Sequence, residues 1–564
     1  MFRFSKKIKV FLILIAVMFF LAPSLFLVSQ LSNYEKRSKF MYSVGLDRYL
    51  AAKQTFFTIY NLPYAFLGLI KKESISDVYI SVDESKLQKI IAKSGSTEKK
   101  DEIKGSVFAD GKEYKMKLNI KNGNSEHWIN QKKSWKVNMS DDDLLWGMDK
   151  IKFIVPEDKG FINEGYSNYV AKKMGLVVPR FDYVNLFING KRQGVYYMLE
   201  GWGEDMISNN ERGIGSNLYG DAITADDLYG SIFNFEKYVD DDNFINDDDY
   251  TELSILIDLL KNSDDEFFWD NIFKIVDEDS FYSWQVHSII LGSTHQTKEG
   301  NIKLYFNNKK NRFEFVPWDV STMFGPVNNL DVKYNIIVSR ILKNPTFLNR
   351  RNIILFSYSQ DDDFWSDNLE FYEELNRSLT PSIMKDIYKS IGTRTFFKGV
   401  DTYRNFNIDR RLVISDTLSG GDLKVVVNYS FGGKTILDVF NHHFSSARLT
   451  KVILEYSDED DFRGFDKNTP NLTCFKKKLS CEFLLHDGLV YSGRDVEVES
   501  CEFFLIKSLK TSVELPNMGN FNRLELQAVN VSTGEVMEED QISIRYVDAK
   551  YVSDFYLNDR LIKK

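Results

Sequence analysis

The stretch Asn301-Ile302-Lys303-Leu304-Tyr305-Phe306, a turn at Asn307-Asn308-Lys309-Lys310-Asn311, and Arg312-Phe313-Glu314-Phe315-Val316-Pro317-Trp318-Asp319 decide how this chain is read. The two apolar, aromatic-rich runs are strand-like, and the polar residues between them are turn formers, so the stretch predicts an antiparallel hairpin. Asn301 stands at one end and Asp319 at the other, and pairing brings an amide and a carboxylate together. Hard oxygen donors of that kind suit magnesium or manganese. An ordinary surface hairpin is the competing reading of the same spacing.

Working outward, the 564 residues suffice for about three domains. A hydrophobic fraction of 43% and an aromatic fraction of 14% supply a core, so the chain is expected to fold. The net charge of −9 argues against a dedicated nucleic-acid binder, which needs a basic face to displace counterions. At the N-terminus Arg3, Lys6, Lys7 and Lys9 precede a run without charge from Val10 to Val28. At ~1.5 Å per residue that run roughly crosses a bilayer core. No small-x-small cleavage site follows at Val28-Ser29-Gln30-Leu31, so an uncleaved signal anchor is expected. The basic flank predicts a cytoplasmic N-terminus and an extracytoplasmic body. Residues 41–74 read as a helical stalk interrupted by Pro63, with a helix lying near the bilayer surface as the other reading.

From Asp77 the alternation is β-like, with strands expected at 78–82, 105–109, 113–120 and 133–139. Ile162–Met174 has helical periodicity and stops at Gly175. Asn189-Gly190 between 183–188 and 194–199 is a hairpin signal. The aspartates of 240–249 lack the register of a calcium loop and read as a solvated acidic loop. Helices are expected over 252–290 and 345–391, and strands with turns after about 415, which predicts a β-sandwich. Cys474, Cys481 and Cys501 allow one disulfide whose pairing spacing does not fix.

Asn122-Gly123-Asn124-Ser125, Lys132-Lys133-Ser134-Trp135-Lys136, Asn163-Glu164, the Asn189-Gly190 hairpin ending in Glu200, Asn301 and Pro317-Trp318-Asp319 follow one another in an order that resembles the CotH kinase family. These are atypical secreted kinases with a divergent protein-kinase-like fold. The resemblance covers about 75–412. It implies a kinase-like domain over 75–412, which with the readings above makes an α+β chain in four parts: a cytoplasmic tail and membrane anchor (1–40), the stalk (41–74), that domain, and an all-β, sandwich-like C-terminal domain (413–564).

It also implies roles. A lysine among Lys132, Lys133 and Lys136 would contact nucleotide phosphates; strand alternation puts Lys132 and Lys136 on one face and Lys133 on the other, and Lys136 is favoured because it lies inside the apolar strand. Glu164 would orient that lysine by ion pairing, and a surface residue on the first helical turn is the competing reading of the same position. Glu200 would border the nucleotide, and Asn301 with Asp319 would hold magnesium or manganese beside ATP. Where the family's Asp-x-x-x-x-Asn pattern puts a catalytic base, this chain has Gln296, which accepts no proton at neutral pH. His295 is the neighbouring base candidate. The expected function is therefore metal-dependent phosphoryl transfer to a surface protein or glycan. The alternative is a pseudokinase or scaffold that binds cell-envelope protein or polysaccharide.

Overall fold

The computed structural model describes residues 46–92, 102–121, 132–140, 143–213, 217–221, 228–238, 249–293, 295–296, 301–320, 330, 336–429, 435–441, 443–457, 472–475, 478–490, 509–515 and 521–547. The expected anchor, the Asn122–Ser125 turn, most of the acidic run and Cys501 lie outside them. Among the described residues no helix is long and apolar enough to cross a membrane.

Helix α1 (Leu46–Gly68) is followed by the strands of a closed seven-stranded barrel in the order β1-β2-β3-β4-β5-β7-β6. These are β1 (Ser76–Val82), β2 (Ile103–Ala109), β3 (Lys112–Ile120), β4 (Trp135–Met139), β5 (Lys150–Ile154), β6 (Phe181–Ile188) and β7 (Lys191–Glu200). Parallel pairing of β1 with β6 closes the barrel. The turns read from sequence are where they were expected. Asn189 and Gly190 both have positive φ (48° and 73°), as do Asp110 and Gly111 (48° and 79°), the backbone of a two-residue hairpin turn. Alternation sends Val137, Ile151, Phe153, Val184 and Leu186 into the barrel. The opposite face of β6 and β7 offers Tyr183, Tyr197 and Leu199 to a second core.

That second core is helical. It takes Tyr166 and Val170 from α2 (Asn163–Lys173) and Phe281, Val286 and Ile289 from α3 (Glu278–Ile290). The helical stretch expected over 252–290 is three helices, Thr251–Asn262, Asp265–Ile275 and α3. Asp264 and Asp277 cut it there by accepting the backbone N–H groups of Phe267 and Ser280. Asp361 likewise separates Pro345–Gln360 from α4 (Asp362–Lys385) by capping Phe364. The long α5 (Thr393–Ser419) closes this part of the molecule.

The decisive hairpin forms as β10 (Lys303–Asn307) and β11 (Arg312–Val316), with Lys303 opposite Val316. It belongs to a four-stranded sheet, β11-β10-β8-β9, completed by β8 (Leu218–Asp221) and β9 (Phe235–Tyr238). After α5, strands from Leu423 onward form two further four-stranded sheets that share one apolar core, including Val425, Val439, Leu449, Val452 and Leu526. A Cys474–Cys481 disulfide joins facing strands in one of them. The fold is thus mixed, with several sheets and helices.

Helix α1 is not a free stalk. Gln54 donates to the carbonyl of Tyr388 at 3.0 Å and Asn61 to that of Ile391 at 2.9 Å. Asn61 also accepts the N–H of Thr393 at 2.8 Å, satisfying a donor at the start of α5. The apolar pattern hid this docking, because polar side chains make it.

Candidate active site

The two ends of the β10–β11 hairpin meet through a histidine. His295 Nδ1 lies 2.9 Å from the carbonyl oxygen of Asp319 and 3.4 Å from its Oδ2. Its Nε2 lies 3.2 Å from the side-chain amide nitrogen of Asn301. Since that NH₂ group only donates, Nε2 is the acceptor and Nδ1 carries the proton toward Asp319. Asn301 and Asp319 both adopt left-handed backbone, with φ of 59° and 54°. Non-glycine residues held there cost energy, and such residues concentrate at binding and catalytic sites.

Asp319 is also ion-paired with Lys159, the last residue of a 3₁₀ turn at Pro156–Lys159. Gly160, with φ 58°, ends that turn, and α2 begins three residues later. Glu164, buried in the first turn of α2, acts on Lys159 from there. Glu164 and Asp319 hold the Lys159 ammonium above the usual lysine range against the opposing effect of burial. A lysine therefore stands between a helix-borne glutamate and the hairpin aspartate.

More lysines converge on the same place. Lys136 and Lys152 face each other across β4 and β5. Burial, reinforced by Lys121, Lys303, Lys136 and Lys159, pushes the Lys152 ammonium well below its usual range. The Lys121 ammonium falls to about 8, by burial and the nearby Lys159. Trp318 and Trp202 pack at 4.6 Å between ring centres. Lys152 lies 5.0 Å from the Trp318 ring and Lys303 5.4 Å from the Trp202 ring. Lys303 also pairs with Asp221 at 3.1 Å, reaching it over Gly220, where any side chain would collide with its ammonium. Lys152 is thus buried among four other lysines that disfavour its charge, and a bound anion would relieve that cost.

Other residues singled out from sequence are engaged elsewhere. Lys132 does not share a strand face with Lys136, because β4 begins only at Trp135. Its buried ammonium lies 2.7 Å from Asp386 Oδ2 and 2.7 Å from the Val195 carbonyl. Glu200 is fully buried, and its oxygens accept the Arg180 backbone N–H (2.8 Å) and the Asn209 side chain (2.6 Å). Gln296 is turned into the helical core. Its Oε1 accepts from Ser288 at 2.9 Å, and its amide donates to the Trp318 carbonyl at 3.3 Å. Of the adjacent pair it is His295 that faces Asp319. Sequence reasoning missed Lys159 and Lys152. The alternation of Lys150-Ile151-Lys152-Phe153-Ile154 was the available signal for Lys152; nothing local marks Lys159.

The model of the CotH kinase protein family matches residues 121–414, a little over half of the chain. The chain belongs to this family. The match takes in all five converging lysines, Glu164, His295, Asn301 and Asp319. The inner spore coat protein H of Bacillus subtilis (strain 168) is 22% identical over 279 residues, 44% of this chain and 72% of that protein. A CotH family member thus carries a lysine-rich cluster around Asp319.

Two outcomes follow from the cluster. Lys152→Met, which keeps the shape and removes the charge, is expected to raise the melting temperature of the unliganded protein while weakening nucleotide binding about tenfold or more. Thermal melts with and without ATP measure both; a merely structural lysine would lose stability and leave binding intact. Polyphosphate affinity is also expected to fall as pH rises through about 8, where Lys121 loses its proton. The sign for folding is opposite. Between about 8 and the ordinary lysine value of 10.5 the unfolded chain holds a proton that folded Lys121 has released, so this group makes stability rise with pH across that window. Titration calorimetry at several pH values checks the binding side.

Proposed function

We propose that this protein is an atypical, kinase-like phosphotransferase that uses ATP with magnesium or manganese, with a body held outside the cytoplasm by an N-terminal membrane anchor. The observation that carries the reading is Lys159 set between Glu164 and Asp319 with Lys121, Lys136, Lys152 and Lys303 around it. Protein kinases use a lysine paired to a helix-borne glutamate beside a metal-binding aspartate. Here the 3₁₀ turn before α2 supplies the lysine, and the barrel takes the part of the kinase sheet.

The donor set fits the implied metal. The Asp319 carboxylate and the Asn301 amide are hard oxygen donors, and magnesium sites of this kind are completed by phosphates and water. When bound, the ion would neutralise charge on the phosphates. The lysines hold the phosphate oxygens, and Glu164 keeps Lys159 charged and in place. Once the Asn301 amide is turned away from it, His295 Nε2 would take the proton of the acceptor hydroxyl as that oxygen bonds the γ-phosphorus and ADP leaves, while Asp319 accepts from Nδ1–H and fixes the tautomer.

A surface protein or glycan is the proposed acceptor, reached through the C-terminal sheets. The relative is by its name a spore coat protein, which supports a coat or envelope component. The disulfide accords with an oxidising, extracytoplasmic setting. A pseudokinase that binds nucleotide without transfer is the second reading, favoured by the inward turn of Gln296 at the base position. Incubating the full chain with γ-labelled ATP and magnesium or manganese separates the two. Transfer to the chain itself or to envelope material is expected, whereas metal-dependent binding with no transfer would leave the pseudokinase.

A further inference from the structure

Helix α1 is built inside out. Its buried face carries Gln54, Asn61 and Gly68, spaced seven residues apart, and the two polar side chains bond to the backbone between α4 and α5. Its outward face carries Ile59, Leu62, Pro63, Phe66 and Leu67, at the i, i+3, i+4, i+7 and i+8 spacing of one helical stripe, and Ile70 continues it from the turn that follows the helix. These side chains are far out of the protein: Phe66 is 69% exposed, Leu67 56% and Ile70 86%. Leu69, beside them in the turn that ends the helix, is 69% exposed. A stripe about 17 Å long, apolar and contiguous, is what a soluble surface avoids.

We propose that this stripe lies in the interface of an anionic lipid bilayer and orients the whole body against it. Two further observations favour lipid over a protein partner. Lys71 and Lys72, both exposed, follow the stripe directly, where cationic side chains meet headgroup phosphates. Only 17 residues lie between the uncharged run Val10–Val28 and Leu46, so a chain anchored there delivers α1 to the membrane surface. The inference rests on that run being a membrane anchor. It adds that α1, fastened to α4 and α5 by Gln54 and Asn61, transmits the membrane plane to the domain that holds Lys159 and Asp319.

The test uses the full chain with Cys501→Ser, carrying an environment-sensitive fluorophore at Phe66→Cys or, as control, at Ile255→Cys, an exposed apolar site on Thr251–Asn262. Vesicles of phosphatidylcholine and phosphatidylglycerol contain nitroxide-labelled lipid. The label at position 66 is expected to be quenched several-fold more than the label at 255, and Leu67→Asn with Ile70→Asn is expected to remove the difference. A chain that floats with vesicles but leaves position 66 unquenched overturns the proposal while keeping the anchor. Quenching in a chain that alkaline carbonate strips from vesicles keeps the stripe and removes the anchor. A chain that does not float overturns both. Shielding at 66 without quenching, in a chain that crosslinks to itself through this site, assigns the stripe to a second copy and also overturns it.

Discussion

Asp319→Asn is expected to lower metal-dependent phosphoryl transfer about 10³-fold, equivalent to ~4 kcal/mol of transition-state stabilisation. Asparagine is the right replacement because position 319 has a φ of 54°, which Asn tolerates and most residues do not. The shape is kept and the charge removed, so Lys159 loses its hairpin partner and a metal held as proposed would lose its carboxylate. Folding should hold, with a melting temperature within a few degrees of the parent. The loss is expected in the rate of transfer measured with saturating ATP and manganese. If Asp319→Asn transfers phosphate at the parental rate, Asp319 does not hold the metal, and the site lies elsewhere.

The hairpin that led to Asp319 was legible because its information is local. Aromatic strand runs and a polar turn here, like the Asn189-Gly190 pair between β6 and β7, dictate backbone within a few residues. What the chain does with those ends is not local. His295 and Gln296 are neighbours of similar size, and only the packing of α3 against the hairpin sends one toward Asp319 and the other to Ser288. Lys159 was invisible for the same reason, since a lysine in a 3₁₀ turn carries no periodic signal and gains its meaning from Glu164 and Asp319. Lys132 was misplaced because strand alternation was extended through residues that precede β4. In α1 the apolar stripe was visible, but its docking by polar groups inverted the usual inference from hydrophobic pattern to buried face.

The buried pair Lys132–Asp386 gives the second large effect, and it falls on stability. Asp386 accepts Lys132 at 2.7 Å, the Val195 N–H at 3.0 Å and, through its other oxygen, the Tyr388 N–H at 2.9 Å. These bonds and the positive charges of Lys132 and Lys389 hold its carboxyl below the usual range despite burial. One side chain thereby ties β7 to the segment after α4. Asp386→Asn leaves the Lys132 charge buried without a counter-ion and is expected to cost ~3–5 kcal/mol, or about 6–10 °C in melting temperature. At a temperature where the variant remains folded, ATP affinity should match the parent, because Lys132 is not among the lysines around Asp319. A selective loss of ATP binding with unchanged stability would instead return Lys132 to the phosphate site.

The most direct test of the central claim is titration calorimetry of the full chain with ATP, with and without manganese, beside Lys159→Met and Asp319→Asn. The account predicts binding that manganese strengthens, that Lys159→Met weakens about tenfold or more, and that Asp319→Asn makes insensitive to the metal. Binding that is indifferent to manganese and to both substitutions, or no binding at all, would contradict it.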